Sequence, residues 1–460
     1  MSARELASRL RKGEISAREV TAAHLERIEA VNSRVNAVVT VTADQALDRA
    51  AELDRRFAAG EEPGPLHGVP VAHKDSRLTA GVRTTFGSPI YQDFVPTMDD
   101  LLVTRMRDAG AVMLGKTNMP EFGAGSHTFN PVFGPTHNPY DLSKSAGGSS
   151  GGAAAGLAAG MFALADGTDM GGSLRNPASF CDVVGLRPSP GRVPDGPTWS
   201  PLSVAGPMAR DTGDLTLLLS VLSGPDPSAP LSIDHNDVFT ADPAAGIAGW
   251  RVAWSPDLGG AVPVDPEVRE ALSGVPEIFA GLGCQVTEDC PRFSGADESF
   301  RTLRALGFEM SLGSTLNTRR ELLKPWLVWN IEQGRALTGS QLARAERLRI
   351  ELFTRMRLFF ERYDVLLLPV CQVAPFDVEL EFPPSVAGTP TETYIDWMKS
   401  CYFVSVTACP AMSVPAGYTP GGLPVGLQIV TRYRDEATAL RVAAAFEQAT
   451  AGARVRPTEL

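Results

Sequence analysis

Between Pro63 and Ala165 short apolar runs alternate with stretches of helical periodicity, and glycine and serine fill the joins. Val69-Pro70-Val71-Ala72, Ala111 to Leu114 and Met161 to Ala165 are too short for helices and read as buried strands. Thr97 to Ala109 and roughly 152–160 carry helical spacing. Strands that alternate with helices must hide both sheet faces, which points to a parallel or mixed sheet with helices on either side. The expected fold class is α/β: one large α/β/α sandwich whose central sheet is mixed and mostly parallel, covered by helices.

The flanking segments fit that plan. Arg4 to Lys12 reads as a helix that ends at Gly13. Ser16 and Glu19 form the S-x-x-E capping signature, opening a helix with Val20, Leu25, Ile28 and Val31 inward. A third helix follows Thr42 and stops at Gly60. Residues 224–245, rich in Pro, Asp and Ala, read as a linker or surface excursion. Beyond them, Trp250 to Trp254 and Val365 to Leu368 read as strands. Asp265-Pro266 opens a helix, and 341–362 and Glu436 to Gln448 are amphipathic helices. Length alone, 460 residues, allows roughly three domains. No internal repeat is visible.

Charge and composition exclude several classes. A net charge of −11 argues against nucleic acid or an anionic membrane as main partner. The charged N-terminus has no apolar signal segment, and the small-apolar stretch 151–165 is too short and glycine-rich to span a bilayer. The six cysteines show no C-x-x-C spacing, and the six histidines no metal-binding pair. The expectation is a cytoplasmic protein with reduced thiols and neither metal nor cofactor.

Two motif matches are weak in context. Gly110-Ala-Val-Met-Leu-Gly115-Lys116-Thr117 satisfies the P-loop pattern, but its middle is an apolar strand and Asn118-Met119-Pro120 follows instead of a helix. Gly147-Gly-Ser149-Ser-Gly151 satisfies G-x-S-x-G, yet the only histidine C-terminal to it is His235, in a polar stretch.

A third constellation is far more specific. Lys74 closes Gly68-Val-Pro-Val-Ala-His-Lys74, directly after an apolar run. Ser149 follows 75 residues later in Gly147-Gly-Ser-Ser-Gly-Gly, and Ser173 another 24 residues on in Gly167-Thr-Asp-Met-Gly-Gly-Ser-Leu-Arg-Asn-Pro. In this order and spacing they resemble the amidase signature family, whose hallmark is a Ser-cisSer-Lys triad. Leu114 to Gly123, Gly134 to Asp141, Val184 to Pro188, Leu366 to Val370 and Gly422 to Gln428 also look like family segments. The likeness runs from about residue 16 to 450 and is weakest over 225–345.

That resemblance implies a single domain over 1–460: N-terminal helices (1–62), catalytic core (63–224), a variable substrate-lining region (225–345) and a C-terminal part of the core (346–460). It implies a serine amidohydrolase that cleaves carboxamide C–N bonds through an acyl-enzyme, and with the same machinery carbamates or esters. Ser173 is the implied nucleophile, Ser149 the proton relay after a cis Gly148–Ser149 peptide, and Lys74 the base. The backbone N–H groups of Met170, Gly171, Gly172 and Ser173 form the implied oxyanion hole, with Ser150, Thr168, Asp169 and Arg175 in support; Asp169 and Arg175 read equally well as an ion pair holding the loop. Lysine acts as a base only if burial or a neighbouring positive charge lowers its pKa, and Val69, Val71 and Ala72 offer the apolar approach.

Two departures bear on the branch. Ala146 stands where the family often has proline, and Asn176 where the tRNA-dependent amidotransferase branch usually has glutamine. The segment after Gly191-Arg192-Val193 also lacks that branch's usual run, and with Asn176 it favours a free-standing hydrolase, monomer or homodimer, over an amidotransferase subunit, which is the alternative. Phe122, Phe129, Trp199, Trp326, Trp329, Tyr394, Trp397, Tyr402 and Phe403 are candidates for an apolar acyl or aryl pocket, although core packing explains most such aromatics.

Overall fold

The structure is a computed structural model that describes residues 1–460 except 200–201, 234–238, 240–241, 243–244 and 458–459. Its strands are β1 (Val38–Val41), β2 (Pro70–Lys74), β3 (Val112–Thr117), β4 (His137–Asn138), β5 (Asp141–Ser145), β6 (Leu164–Asp169), β7 (Val184–Arg187) and β8 (Val204–Ala209). After these come β9 (Arg251–Trp254), β10 (Gln285–Glu288), β11 (Val365–Pro369), β12 (Ser385–Val386), β13 (Thr389–Pro390), β14 (Ala411–Tyr418) and β15 (Pro424–Val430). Eleven of them form one sheet in the order β1-β3-β2-β6-β8-β7-β14-β15-β11-β9-β10; β4–β5 and β12–β13 pair separately.

The sheet is mixed, as expected, but antiparallel pairing prevails. Only four of its ten neighbouring pairs run parallel: β3–β2, β2–β6, β11–β9 and β9–β10. The reason lies in the connections. Parallel neighbours need a helical crossover, and the helices Leu101–Asp108 and Gly151–Ala158 supply these between β2, β3 and β6. The centre is instead made of returning strands, with β14 and β15 joined by a tight turn in which the Thr419 N–H donates to the Leu423 carbonyl at 2.8 Å. A hairpin of that kind leaves little local signal of direction in its apolar pattern.

Most helices begin where the sequence places them. The Ser16 side chain accepts from the Glu19 amide at 3.1 Å, and Glu19 Oε2 accepts from the Ser16 amide at 2.9 Å, completing the capping box of the helix Ala17–Val35. Pro266 occupies the first turn of its helix. Two boundaries shift. The helix expected from Thr97 starts at Leu101, after Asp100 in extended backbone. The strand expected over 161–165 is instead Leu164–Asp169, because Gly167 and Asp169 pair with Gly206 and Val204 of β8 and draw the glycine-rich stretch into the sheet. His235 and part of the 224–245 excursion lie outside the described residues.

The P-loop-like segment is sheet, not loop. Val112–Thr117 is β3, and buried Lys116 donates to the Arg77 carbonyl and to the hydroxyls of Thr79 (3.2 Å) and Thr84 (3.1 Å). All six cysteines are free thiols. Among the described residues no helix is long and apolar enough to cross a membrane.

The core follows the sheet. Leu186, Leu367, Met412, Leu427 and Ile429 are fully buried. Leu367, paired with Ile429 and Trp254, sits where β11 joins the antiparallel centre to the parallel flank. Leu367→Ala removes core volume that the sheet cannot refill, so it should cost about 2–5 kcal/mol. A clear fall in the denaturant midpoint measures this.

Candidate active site

The site stands at the C-terminal ends of two adjacent parallel strands, β2 and β6, where α/β sheets commonly bind ligands. Lys74 is the last residue of β2, and Thr168 the second-to-last of β6. Between them sits the start of the helix Gly151–Ala158, preceded by Ser149 and Ser150. The Lys74 amine, fully buried, is within hydrogen-bond distance of three hydroxyls: Ser149 Oγ at 2.7 Å, Ser150 Oγ at 3.0 Å and Thr168 Oγ1 at 2.9 Å. No carboxylate contacts it among the described residues. Burial, then the charge of Arg77, lower its pKa to about 7, against the pull of Asp166 and Asp169. Its sequence neighbour Asp75 does not pair with it; that carboxylate turns to Thr85.

Side chains behind the site fix the strand ends. Buried Asp166 accepts from His73 Nδ1 at 2.7 Å and from Arg77 Nε at 3.1 Å. Burial works against its ionisation, but His73 and Arg77 hold the carboxyl below its ordinary value. Arg77 also pairs with Asp195.

The serine loop is glycine-rich because nothing larger fits. The Gly148–Ser149 peptide is cis. A Cβ on Gly151 would lie 2.3 Å from Thr128 Oγ1, and one on Gly152 2.3 Å from the Asn118 amide nitrogen. The Gly148 N–H donates to Asn176 Oδ1 at 3.1 Å, and the Gly151 N–H to Thr128 Oγ1 at 3.1 Å. Asn176 thus grips the residue before the cis bond, a role its place in the sequence does not announce.

The second loop, 170–173, is tied down by Asp169. Its carboxylate accepts from Arg175 Nε and Nη2, both at 2.9 Å, and lies 3.4 Å from Arg187 Nη1. It also accepts from the amides of Gly172 at 2.9 Å and Leu174 at 3.2 Å. Burial opposes its charge, yet the two arginines and these N–H groups hold its pKa down to about 2. Arg175 reaches on to the Cys401 carbonyl, Gln428 and Ser405. Asp169 and Arg175 therefore form the ion pair that the sequence left open. Of the four loop amides expected to face an oxyanion, that of Gly172 is engaged by Asp169; those of Met170, Gly171 and Ser173 carry no protein hydrogen bond among the described residues. Ser173 is buried, and no hydrogen bond joins its hydroxyl to that of Ser149 among the described residues.

Of the nine candidate aromatics, Tyr402 and Tyr394 approach the site. Tyr402 stacks on Phe300 with ring centres 4.2 Å apart, and a Cβ on Gly171 would meet both. Tyr394 lies against Gly125. Trp326 and Trp329 pack beyond Tyr394, and Phe129 faces Lys324. Phe122 stacks on Phe86, Phe403 on Phe293, and buried Trp397 on Phe180. Trp199 is 78 % exposed. Phe300, which residue patterning does not single out, lies in the weakly patterned 225–345 stretch.

The C-terminal ends of β2 and β6 thus bring together a buried lysine, two adjacent serines and a glycine-rich loop, in a chain that is similar to amide-hydrolysing enzymes. The family described as Amidase matches residues 19–440. An acylamidase from Rhodococcus erythropolis is 38% identical over 467 residues, covering 100% of this chain and 97% of that one. A glutamyl-tRNA(Gln) amidotransferase subunit from Moorella thermoacetica is 37% identical over 495 residues, covering 99% and 98%. The crystal structure of a bacterial aryl acylamidase of the amidase signature family superposes with a TM-score of 0.91 at 30% identity, covering 98% of this chain and 96% of that one. The chain belongs to the amidase signature family and is an enzyme acting on amide C–N bonds.

Removing the Asp169 carboxylate leaves two fully buried arginines without a counter-charge. Asp169→Ala should therefore destabilise the fold by about 3–5 kcal/mol. The loss is read as a lowered thermal midpoint together with lost amide turnover.

Proposed function

We propose that this enzyme is a free-standing serine amidohydrolase in which Ser173 is the nucleophile, Ser149 the relay and Lys74 the base. The observation that carries this reading is the contact of the Lys74 amine with Ser149 Oγ at 2.7 Å, in a setting that lowers its pKa to about 7 and so gives a large neutral fraction at pH 7. A neutral amine has two N–H donors and one lone pair. With the donors spent on Ser150 and Thr168, the lone pair faces the Ser149 hydroxyl.

The reaction then runs in balanced steps. Ser173 Oγ attacks the amide carbonyl as its proton passes to Ser149, and the Ser149 proton passes to Lys74. The negative oxygen of the tetrahedral intermediate is met by the unengaged amides of Met170, Gly171 and Ser173, donors of the kind worth about 2.7–4 kcal/mol each. Collapse breaks the C–N bond while a proton returns from Lys74 through Ser149 to the departing nitrogen. The acyl group stays on Ser173; water, deprotonated along the same path, then attacks the ester carbonyl, and the Ser173 Oγ–C bond breaks as the proton returns to Ser173 Oγ and the acid leaves. Every proton and the nucleophile come from the chain and from water.

The acylamidase and the aryl acylamidase support amides with aryl or alkyl substituents as substrates. Tyr394, Tyr402 and Phe300 beside the site agree with an apolar acyl or aryl group. Carbamates and esters, which pass through the same intermediate, fall within reach. The amidotransferase relative supports a second reading: a glutaminase component that works only in a complex. Full amide turnover by the purified chain alone overturns that reading.

Three outcomes are expected. Ser173→Ala abolishes hydrolysis of an anilide with the circular dichroism spectrum unchanged. Lys74→Ala does the same for anilides but loses less on activated esters, whose leaving groups need less protonation; equal retention of anilide activity contradicts the base assignment. Because only the neutral amine accepts a proton, kcat/KM should rise about tenfold per pH unit below a midpoint near 7 and level off above it. A profile from pH 5 to 9 measures this.

A further inference from the structure

The buried arginines of this protein follow a rule with one exception. Among the described residues Arg77, Arg175, Arg187, Arg192 and Arg304 are buried. The first four are each paired with a carboxylate: Asp166 and Asp195, Asp169, Asp169 again, and Glu436. Arg304, 4 % exposed, has none among the described residues. Its Nη2 donates to Tyr394 OH at 2.8 Å, its Nη1 reaches only the thioether of Met170 at 3.3 Å, and its Nε has no partner. A guanidinium has five N–H donors, and a thioether is a weak acceptor. A charge taken out of water without a counter-ion is costly. The rings of Phe308, Tyr394 and Phe300, 4.7, 5.5 and 5.9 Å away, offset part of that cost but satisfy no N–H.

Its position is informative. Arg304 lies one turn beyond Phe300 on the helix Ala296–Arg319, and Phe300 packs on Gly171. Met170, its thioether partner, belongs to the same loop as Ser173. On the other side Tyr394 lies against Gly125, and Gly123 is next to Ser149, with 3.5 Å between a Cβ there and Ser149 Oγ. Arg304 thus touches the loop that carries Ser173 and, through Tyr394, the 123–125 segment beside Ser149. A second cation is close by: Lys324, which feels the charge of Arg304 and those of Glu381 and Glu121, donates to the Ala124 carbonyl at 2.5 Å and lies over Phe129. Its neighbour Glu121 is occupied by the Ser88 hydroxyl (2.7 Å) and the Lys324 amide (3.0 Å).

We infer that Arg304, with Lys324 beside it, receives an anionic group of the substrate, so that the preferred amides carry a carboxylate away from the scissile bond. This deepens the serine amidohydrolase reading and rests on it. A carboxylate there takes up the idle Nε and Nη donors in a planar fork. It also gives the buried charge the counter-ion that every comparable arginine among the described residues already has.

The test compares two matched pairs of anilides: succinyl against butyryl 4-nitroanilide, and 4-acetamidobenzoate against acetanilide. In at least one pair the wild type should favour the carboxylate by about tenfold or more in kcat/KM, and Arg304→Gln should collapse that ratio. Equal rates or a preference for the neutral partner in both pairs overturns the inference, as does a preference that survives in Arg304→Gln. If Arg304→Gln does not fold, Tyr394→Phe, which leaves the guanidinium in place and frees its Nη2, should keep or raise the ratio, and a ratio that falls to one overturns the inference. Succinate must also inhibit the wild type more strongly than butyrate; equal inhibition counts against the site. Failure of the serine reading is separate, since it shows as hydrolysis of the neutral anilide by Ser173→Ala.

Discussion

Everything at the catalytic edge depends on burying one amine without a counter-ion. Lys74 ends β2 under the serine loop, and its three neighbours are hydroxyls rather than carboxylates. A carboxylate in contact would restore the charge and raise the pKa; hydroxyls solvate the amine and leave its charge state balanced. Arg77 adds a repulsive charge, and Asp166, which would counter it, is committed to Arg77 and His73. The sheet makes this arrangement possible. Parallel β2 and β6 are neighbours in register, so the lysine at the end of one reaches the hydroxyl near the end of the other.

The two loops around that amine are held by opposite means. The 147–152 loop is shaped by exclusion: Thr128 and the Asn118 backbone leave no space for side chains, and Asn176 and Thr128 receive the loop's N–H groups. The 170–173 loop is shaped by charge: Asp169 draws two amides and two arginines to one carboxylate. The Asp169 cluster extends through Arg175 to Gln428 on β15 and to the helix Lys399–Ser405, so chain segments more than 200 residues apart set the geometry of one turn.

The sequence is most legible where local rules act alone. Ser16 with Glu19, Pro266 at a helix start, and the short apolar strands before Lys74 and around Leu367 all lie close to where residue patterning puts them. It is least legible where partners are remote. Nothing within reach of Gly167 shows that Gly206 will extend β6 through a glycine-rich stretch. The expectation of a mostly parallel sheet fails for a related cause, since a fully buried strand has the same apolar pattern in either orientation. Phe300 and Arg304 sit on a long helix of mixed pattern, and only the packing of that helix on Met170 and Gly171 distinguishes them from surface and core residues.

By itself the sequence determined the class of fold, the family and the three residues whose order and spacing suggest an amide-cleaving serine mechanism. These are written in short segments, where residue type and spacing carry the information. The tertiary structure alone decided that Asp169 organises a loop through two arginines, that the Gly172 amide is taken by that carboxylate, and that one buried arginine beside the serines has no counter-ion. Each of those depends on which polar groups meet after burial, and a charge buried by the chain's folding is valued only by the partners that arrive with it.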